Sequence, residues 1–207
     1  MDYKINLLNR QVCFKGFFTL EKFTLTHSLF AGGMCEPVNR ELVSHGNAVA
    51  ILLYDPDADA VVIIEQFRVG AMNDPESAWV YELVAGFQET GESIEQVVER
   101  ELKEEAGLTL DRYEMIMQYY SNPASSSDRV ILVCAQVDAS LAGGIHGVET
   151  EGEDIKVHVV NFAEVEDLIT SGKLSSPTPI IAMQWLQLQR DRLRLEWGTS
   201  SPAQGEH

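Results

Sequence analysis

Residues 86–108 read GFQETGESIEQVVERELKEEAGL, and this stretch contains the strongest structural signal in the chain. Ser93, with Gln96 three residues later, is typical of a capping box at the start of a helix. Gly107 suits the left-handed turn that ends a helix, and neither proline nor glycine interrupts the residues between. The pattern therefore predicts a helix over 93–106.

This predicted helix carries carboxylates on the face that turns towards the protein. Its apolar stripe is formed by Ile94, Val97 and Val98. At about 100° per residue, Glu101 and Glu105 continue that stripe. Two inward carboxylates one turn apart repel each other and lose hydration, so a bound hard cation, Mg²⁺ or Mn²⁺, would stabilise them. The alternative is an ordinary solvated face of glutamate, arginine and lysine.

The spacing of the same stretch resembles the Nudix box. That box consists of Gly, five residues, Glu, seven residues, Arg-Glu, an aliphatic, any residue, Glu-Glu, any residue, Gly and an aliphatic, and every fixed position is present here. The chain is similar to Nudix hydrolases, which hydrolyse a nucleoside diphosphate linked to another group. The resemblance implies an α+β fold, in which a mixed β-sheet is sandwiched between α-helices, with a small N-terminal antiparallel β-sheet.

The resemblance also implies roles for single residues. Arg100 is expected to pair with Glu92 and orient the metal ligands, and Glu104 lies close to the same cluster. Glu151 matches the catalytic base, with Glu104 as the alternative. The implied ligands of Mg²⁺, or of Mn²⁺ in its place, are Glu101, Glu105, Glu153 and the backbone carbonyl of Ala85.

The loop at 143–154 is a second chemical feature, because it combines four glycines with four acidic residues. Glycine makes such a loop mobile, and the carboxylates make it strongly acidic. A mobile acidic loop suits a general base that arrives when substrate is bound, and Glu151 lies in it. A solvated hairpin loop is the alternative.

Segments outside the box resemble the branch of the family that hydrolyses ADP-ribose. Pro123 lies fifteen residues beyond Leu108, at the position of a proline associated with that branch. The resemblance implies an ADP-ribose or related ADP-sugar substrate, cleaved to AMP and ribose 5-phosphate. It further implies a homodimer in which Phe17 and the partner subunit's Arg40 hold the adenine, while Arg68 contacts the diphosphate.

Two other functions remain open at this point. One is the hydrolysis of a different nucleoside diphosphate derivative, such as a nucleotide sugar, coenzyme A or a dinucleoside polyphosphate. The other is a noncatalytic module that binds ADP-ribose. Such modules commonly lose carboxylates of the box, whereas this chain has all of them.

Sequence patterns divide the chain into three parts. Residues 1–46 are expected to form an N-terminal β domain, which is either exchanged in a dimer or covers an edge of its own chain. Residues 47–197 form the expected catalytic domain, and 198–207 an expected disordered tail. The strands are predicted at 17–30, 37–43, 47–54, 60–67, 79–84, 113–120, 130–137 and 155–162, and further helices at 163–170 and 177–197.

The composition fits one globular domain with a modest addition: 207 residues, 45% hydrophobic, with a formal net charge of −17. That charge disfavours binding to nucleic acid or to an anionic membrane. No apolar run reaches the ~20 residues of a membrane span, and no signal-peptide pattern is present, so a cytoplasmic location is expected. An anionic substrate therefore needs local cations, for which Arg40, Arg68 and Arg129 are the candidates; the alternative for each of them is a surface salt bridge.

Overall fold

The computed structural model describes residues 2–199, and within them the chain forms two compact units. Unit 1 comprises the described residues up to Asn47 together with Gln118–Val130. Unit 2 comprises Ala48–Met117 and the described residues from Ile131 onwards. Most of the tail predicted at 198–207 lies outside the described residues. No helix within 2–199 is both long and apolar enough to cross a membrane.

Unit 1 contains the small antiparallel sheet that was expected at the N-terminus. Its strands β1 (Ile5–Lys15), β2 (Thr19–His27) and β3 (Val38–Ser44) lie in the order β1-β2-β3. Gly32 and Gly33, between β2 and β3, both have positive φ, which favours glycine.

The sequence did not predict β1. Its pairing with β2 shifts register twice, between Leu7 and Asn9 and between Val12 and Phe14. Each irregularity moves the following side chains to the other face, so the alternation of apolar and polar residues that marks a strand is lost.

The remaining elements form an eight-stranded sheet and three helices, in agreement with the predicted α+β fold. The sheet order is β10-β11-β5-β4-β9-β8, while β6 pairs with β5 and β7 pairs with β4. The elements are β4 (Ala48–Asp55), β5 (Ala60–Phe67), β6 (Trp79–Glu82), β7 (Val84–Phe87), α1 (Ile94–Ala106), β8 (Arg112–Tyr120), β9 (Arg129–Gln136), β10 (Ile145–His146), β11 (Ile155–Asn161), α2 (Val165–Thr170) and α3 (Pro177–Trp197).

Both faces of the sheet in unit 2 are covered, as the predicted sandwich requires. Successive residues of a strand point to opposite faces, and all the apolar residues from Val49 to Tyr54 are buried. On one face, alternate residues of β4 pack in a core with α1. On the other, α3 contacts β4 and buries one apolar stripe of its own. The main core includes Val49, Ile51, Leu53, Val97, Val98 and Leu102.

The strand predicted at 79–84 is two strands in the structure. The first, β6, pairs with β5, and the second, β7, continues to Phe87 and pairs with β4. A change of pairing partner depends on the arrangement of the whole sheet, so no local sequence pattern shows it. Its consequence is that β7 places Ala85 and Gly86 against α1.

Asp55-Pro56-Asp57-Ala58-Asp59 forms the hairpin turn between β4 and β5, and its last residue is bonded to α3. Asp59 has a φ of 53° and accepts hydrogen bonds from Arg190 Nε at 2.7 Å and from the Tyr54 hydroxyl at 2.9 Å. The hydrogen bond from Arg190 is the main reason why the pKa of Asp59 is lowered.

We expect Asp59→Asn to lower the free energy of unfolding by about 1–3 kcal/mol at neutral pH, since asparagine tolerates the positive φ but carries no charge. A lowered pKa stabilises the folded protein above the unfolded value of about 3.9, and that stability is lost as the pH falls through the folded pKa. The difference between the two proteins should therefore shrink below about pH 4. Urea unfolding from pH 3 to pH 7 measures it, and a difference independent of pH would contradict the ion pair with Arg190.

Candidate active site

The predicted helix is present as α1, with both of its predicted ends. The Ser93 hydroxyl accepts a hydrogen bond from the backbone N–H of Gln96, and the Gln96 side chain accepts one from the backbone N–H of Ser93. Gly107 follows the helix with a left-handed φ of 65°. Glu101 and Glu105 are buried, with 6% and 2% of their surface exposed, so the predicted inward direction of both carboxylates is confirmed.

Glu105 lies deepest, and its surroundings oppose a negative charge. One carboxylate oxygen accepts a hydrogen bond of 2.9 Å from the backbone N–H of Ala85 on β7. The pKa of Glu105 is nevertheless raised to about 8, mainly by burial; the hydrogen bond from Ala85 and the charge of Arg68 oppose this shift, whereas the charges of Glu101 and Glu153 add to it. The ionised form therefore needs more positive charge than the described side chains supply.

Glu101 lies directly over Gly86. A Cβ at residue 86 would come within 1.5 Å of Glu101 Oε1, so only glycine leaves room for the carboxylate. Burial raises the pKa of Glu101, and the nearby charge of Arg100 opposes that shift. The glycine of the box thus creates the space in which one of its own glutamates lies.

Arg100 connects the acidic residues of the box. Its guanidinium donates to both oxygens of Glu92, at 3.1 and 3.2 Å, and to the backbone carbonyl of Phe87 at 3.1 Å. It also forms an ion pair with Glu101 and lies 3.6 Å from Glu104. The hydrogen bond from Arg100 is the main cause of the lowered pKa of Glu92. The structure therefore contains the pairing with Glu92 that the resemblance implied.

The acidic loop approaches this cluster through Glu153. The charges of Glu104 and Glu153 both raise the pKa of Glu101. The Glu153 carboxylate accepts a hydrogen bond of 3.1 Å from the backbone N–H of Val148. Glu151 ends a short 3-10 turn and is exposed, and it is not among the main charges that act on Glu101 or Glu105.

The implied metal can be tested against the chemistry of these donors. Within residues 2–199, no three histidine, cysteine, aspartate or glutamate side chains are already arranged to hold an ion together. The donor chemistry fits a hard divalent cation, because two buried carboxylates lie one turn apart and both have raised pKa values. These residues fit Mg²⁺ or Mn²⁺, and the ligand set of Glu101, Glu105, Glu153 and Ala85 stays a prediction.

Arg68 is held by Glu82, a residue to which no sequence pattern assigned a role. Glu82 Oε2 accepts hydrogen bonds from Arg68 Nε at 2.8 Å and from Gln66 Nε2 at 3.2 Å. Arg68 is half exposed and is bonded to Glu82 through its Nε. A glutamate within the apolar run at 79–84 was the available signal, but its partner could not be identified before the pairing of β5 with β6 was known.

The remaining predicted binding residues belong to unit 1. Phe17 is exposed and stacks on the ring of His45 with 4.0 Å between ring centroids. Arg40 pairs with Phe23 across β2 and β3, four residues along β3 from Ser44, which pairs with Thr19. At about 3.3 Å per residue that is about 13 Å, so one chain does not bring Arg40 and Phe17 to the same end of the sheet.

The loop that contains Pro123 lies at the His45 end of unit 1. Asp128 accepts two hydrogen bonds from the backbone N–H of His45, at 3.0 and 3.2 Å. The backbone N–H of Val43 donates to Ser125 at 2.8 Å. In the same segment Arg129 stacks on Tyr120 with 4.3 Å to the ring centroid, so this candidate cation has a local aromatic partner.

Comparisons with known proteins agree with this geometry. A family model described as NUDIX domain matches residues 44–180, more than half of the chain. The ADP-ribose pyrophosphatase of Escherichia coli K12 is 40% identical over 193 residues, covering 93% of this chain and 92% of the relative. The enzyme of the same name from Haemophilus influenzae is 40% identical over 199 residues, covering 95% and 92%.

More distant relatives were also found. A GDP-mannose pyrophosphatase of Cronobacter sakazakii is 28% identical over 191 residues, covering 91% of this chain and 98% of the relative. A crystal structure of an ADP compounds hydrolase superposes with a TM-score of 0.63 at 22% identity, covering 90% of this chain and 96% of that one. At that identity the structural match supports the fold alone.

Proposed function

Because this chain belongs to the Nudix family, we propose that it hydrolyses the diphosphate bond of ADP-ribose to AMP and ribose 5-phosphate with Mg²⁺ or Mn²⁺, and that of related ADP-sugars to AMP and the corresponding sugar phosphate. The main observation behind this proposal is the buried pair Glu101 and Glu105, whose carboxylates need a divalent cation to be stable in their ionised form. The relatives named ADP-ribose pyrophosphatase, at 40% identity over nearly the whole chain, support the substrate.

The second candidate is hydrolysis of another nucleoside diphosphate derivative. The relatives named GDP-mannose pyrophosphatase favour a nucleotide sugar, but they are only 28% identical or less. A noncatalytic module is a third candidate, and the complete set of box carboxylates argues against it.

In the proposed mechanism the chain's own residues position the diphosphate and move one proton. Glu101, Glu105, Glu153 and the carbonyl of Ala85 would hold the cation, which when bound polarises phosphoryl oxygens and lowers the pKa of bound water. Arg68, fixed by Glu82 at 2.8 Å, would direct its remaining donors to a diphosphate oxygen. Arg100 would keep Glu101 oriented through its bonds to Glu92.

The proton acceptor is Glu151 in this proposal. Its exposed position on the short turn Glu149–Glu151 leaves its carboxylate accessible, and that turn ends at Gly152 with a left-handed φ of 72°. A carboxylate on a loop of this kind can act as general base once substrate is bound. Glu104, partly exposed beside Arg100, is the alternative base.

The substrate proposal is tested with a panel of ADP-ribose, GDP-mannose, coenzyme A and a dinucleoside polyphosphate, with Mg²⁺ present. Products are scored as phosphate released after phosphatase treatment, and hydrolysis in ¹⁸O-labelled water identifies the phosphorus attacked. We expect the highest kcat/KM with ADP-ribose. A higher value with another member would transfer the assignment to that substrate, and ADP-ribose binding without any turnover would favour the noncatalytic module.

The contact between Gly86 and Glu101 leads to a second expected result. Gly86→Ala should displace the Glu101 carboxylate and lower kcat by about 10-fold to 100-fold, as is usual when the support of a metal ligand is lost. Gly70→Ala is the control, because a Cβ there meets nothing within 4 Å. Steady-state kinetics at several Mg²⁺ concentrations measure both variants. Wild-type kinetics in Gly86→Ala would show that turnover does not depend on the position of the Glu101 carboxylate over residue 86.

We further propose a homodimer with exchanged N-terminal sheets, as the resemblance implies. Every residue of β1 is exposed, including Ile5, Leu7 and Phe14, and an apolar surface of this kind is usually covered by a partner. Exchange would also let Arg40 of the partner subunit approach an adenine on Phe17. Light scattering should give twice the 23.1 kDa of one chain. A monomeric mass at the protein concentration of the assay would contradict the dimer.

The proposed setting is the cytoplasm, with no nucleic acid or membrane partner. The three cysteines of the chain are all free in the structure, which suits a reducing compartment. The net charge of −17 opposes binding to nucleic acid or to anionic lipid.

A further inference from the structure

The acidic loop is attached to the end of α1 by two contacts that the mechanism above does not use. The backbone N–H of Gly147 donates a hydrogen bond of 3.0 Å to the backbone carbonyl of Glu104. One residue earlier, the imidazole of His146 lies against Gly107, the residue that ends α1. Both contacts lie within unit 2, and both join the loop to the helix that carries Glu101 and Glu105.

The His146 ring is closely confined. A Cβ on Gly107 would lie 2.4 Å from His146 Cε1, so the ring occupies the space that any other residue at 107 would fill. His146 Nε2 lies 2.7 Å from the carbonyl oxygen of Gly143, and a carbonyl only accepts, so this nitrogen carries the proton. The backbone of His146 is fixed as well, because it pairs with the fully buried Ile155 in the sheet.

The residues that follow His146 are bonded to both acids of the loop, so the fixed backbone of His146 limits where these acids can lie. Val148 donates its backbone N–H to the Glu153 carboxylate at 3.1 Å and accepts the backbone N–H of Glu151 at 2.9 Å. Gly147 packs against the backbone of Glu153, where a Cβ would lie 3.1 Å from the carbonyl oxygen. The turn that carries Glu151 thus begins three residues beyond the confined ring.

We propose that His146 is a positioning residue that holds the turn of Glu151 at the end of α1, an inference that rests on the proposed role of Glu151 as base. The imidazole acts through its N–H to the Gly143 carbonyl and through its contact with Gly107. These two contacts fix both ends of the segment 143–147, so the turn Glu149–Glu151 begins at a defined position. His146 itself touches neither substrate nor cation.

Three variants separate positioning from simple packing. His146→Met keeps the approximate volume but has no N–H donor, and we expect kcat for ADP-ribose to fall about 10-fold to 100-fold with KM within about twofold. His146→Gln restores an N–H donor and should recover most of that loss. His158→Met is the control, because His158 is also partly buried and hydrogen bonded, to Glu65 at 2.8 Å, but lies outside the loop. The kcat of this control should stay within about twofold of the wild-type value.

A double-mutant cycle with Glu151→Gln gives the decisive result. If His146 acts through Glu151, adding His146→Met to Glu151→Gln should lower kcat by less than about twofold, because no base remains to be positioned. The same full loss in both backgrounds would overturn the inference, as would a raised KM with kcat unchanged. Normal turnover of the single variant Glu151→Gln would instead overturn the base assignment. Thermal unfolding of every variant separates lost folding from lost positioning.

Discussion

Glu105→Gln is expected to lower kcat for ADP-ribose about 10³-fold and, in the absence of metal, to leave the fold at least as stable as in the wild type. A glutamine can still accept the hydrogen bond from the backbone N–H of Ala85, but it cannot ligate a cation as an anion. Loss of about 4 kcal/mol of metal-dependent stabilisation in the transition state corresponds to about 10³ in rate. This variant should therefore lose activity while its stability in the absence of metal is kept.

The stability effect depends on pH in a defined direction. The folded pKa of Glu105 is raised to about 8 by burial, above the unfolded value of about 4.3. For a raised pKa, the stabilising contribution is complete below the unfolded value and is lost as the pH rises through the folded one. Metal-free wild type should thus lose on the order of 4 kcal/mol between pH 4 and pH 8 through this group, and the glutamine variant should not.

Urea unfolding in the presence of a chelator, at pH 5 and at pH 8, measures that difference. Glu99→Gln is the matched control, because Glu99 lies on the same helix but is exposed. Mg²⁺ should raise the melting temperature of the wild type and of the control more than that of Glu105→Gln. Turnover of Glu105→Gln within tenfold of the wild type would place the catalytic metal elsewhere.

Glu151→Gln is expected to lower kcat by about 10² to 10⁴, the usual effect of removing a general base. Because Glu151 is exposed and ends a short turn, neither the melting temperature nor KM for ADP-ribose should change appreciably. Glu149→Gln is the control, since Glu149 begins the same exposed turn and carries the same charge. Its kcat should stay close to that of the wild type.

Two outcomes would contradict the assignment of Glu151. Near-normal turnover would transfer the role of base to another carboxylate, and Glu104→Gln would then be expected to show the large loss instead. An equal loss in Glu149→Gln would show that the charge of the turn, rather than one carboxylate, is what matters. Single-turnover measurements separate either result from a change in product release.

Local patterns predicted much of this molecule correctly. The capping box at Ser93, the stop at Gly107 and the inward direction of Glu101 and Glu105 depend on residues within one helix, and all are confirmed. The strand β1 was missed because two register shifts conceal its alternation. The segment at 79–84 was predicted as one strand because the change of partner after Glu82 leaves no local trace.

The sequence by itself determined the family, the position of the box helix and the acids on its inner face, because these depend on spacings of a few residues. Only the tertiary structure decided what surrounds those acids: Ala85 donating to Glu105, Gly86 beneath Glu101, Glu82 holding Arg68, and His146 against Gly107. In each of these pairs the partners lie on different elements. Sheet register and helix packing bring them together, and a linear pattern of residues contains neither.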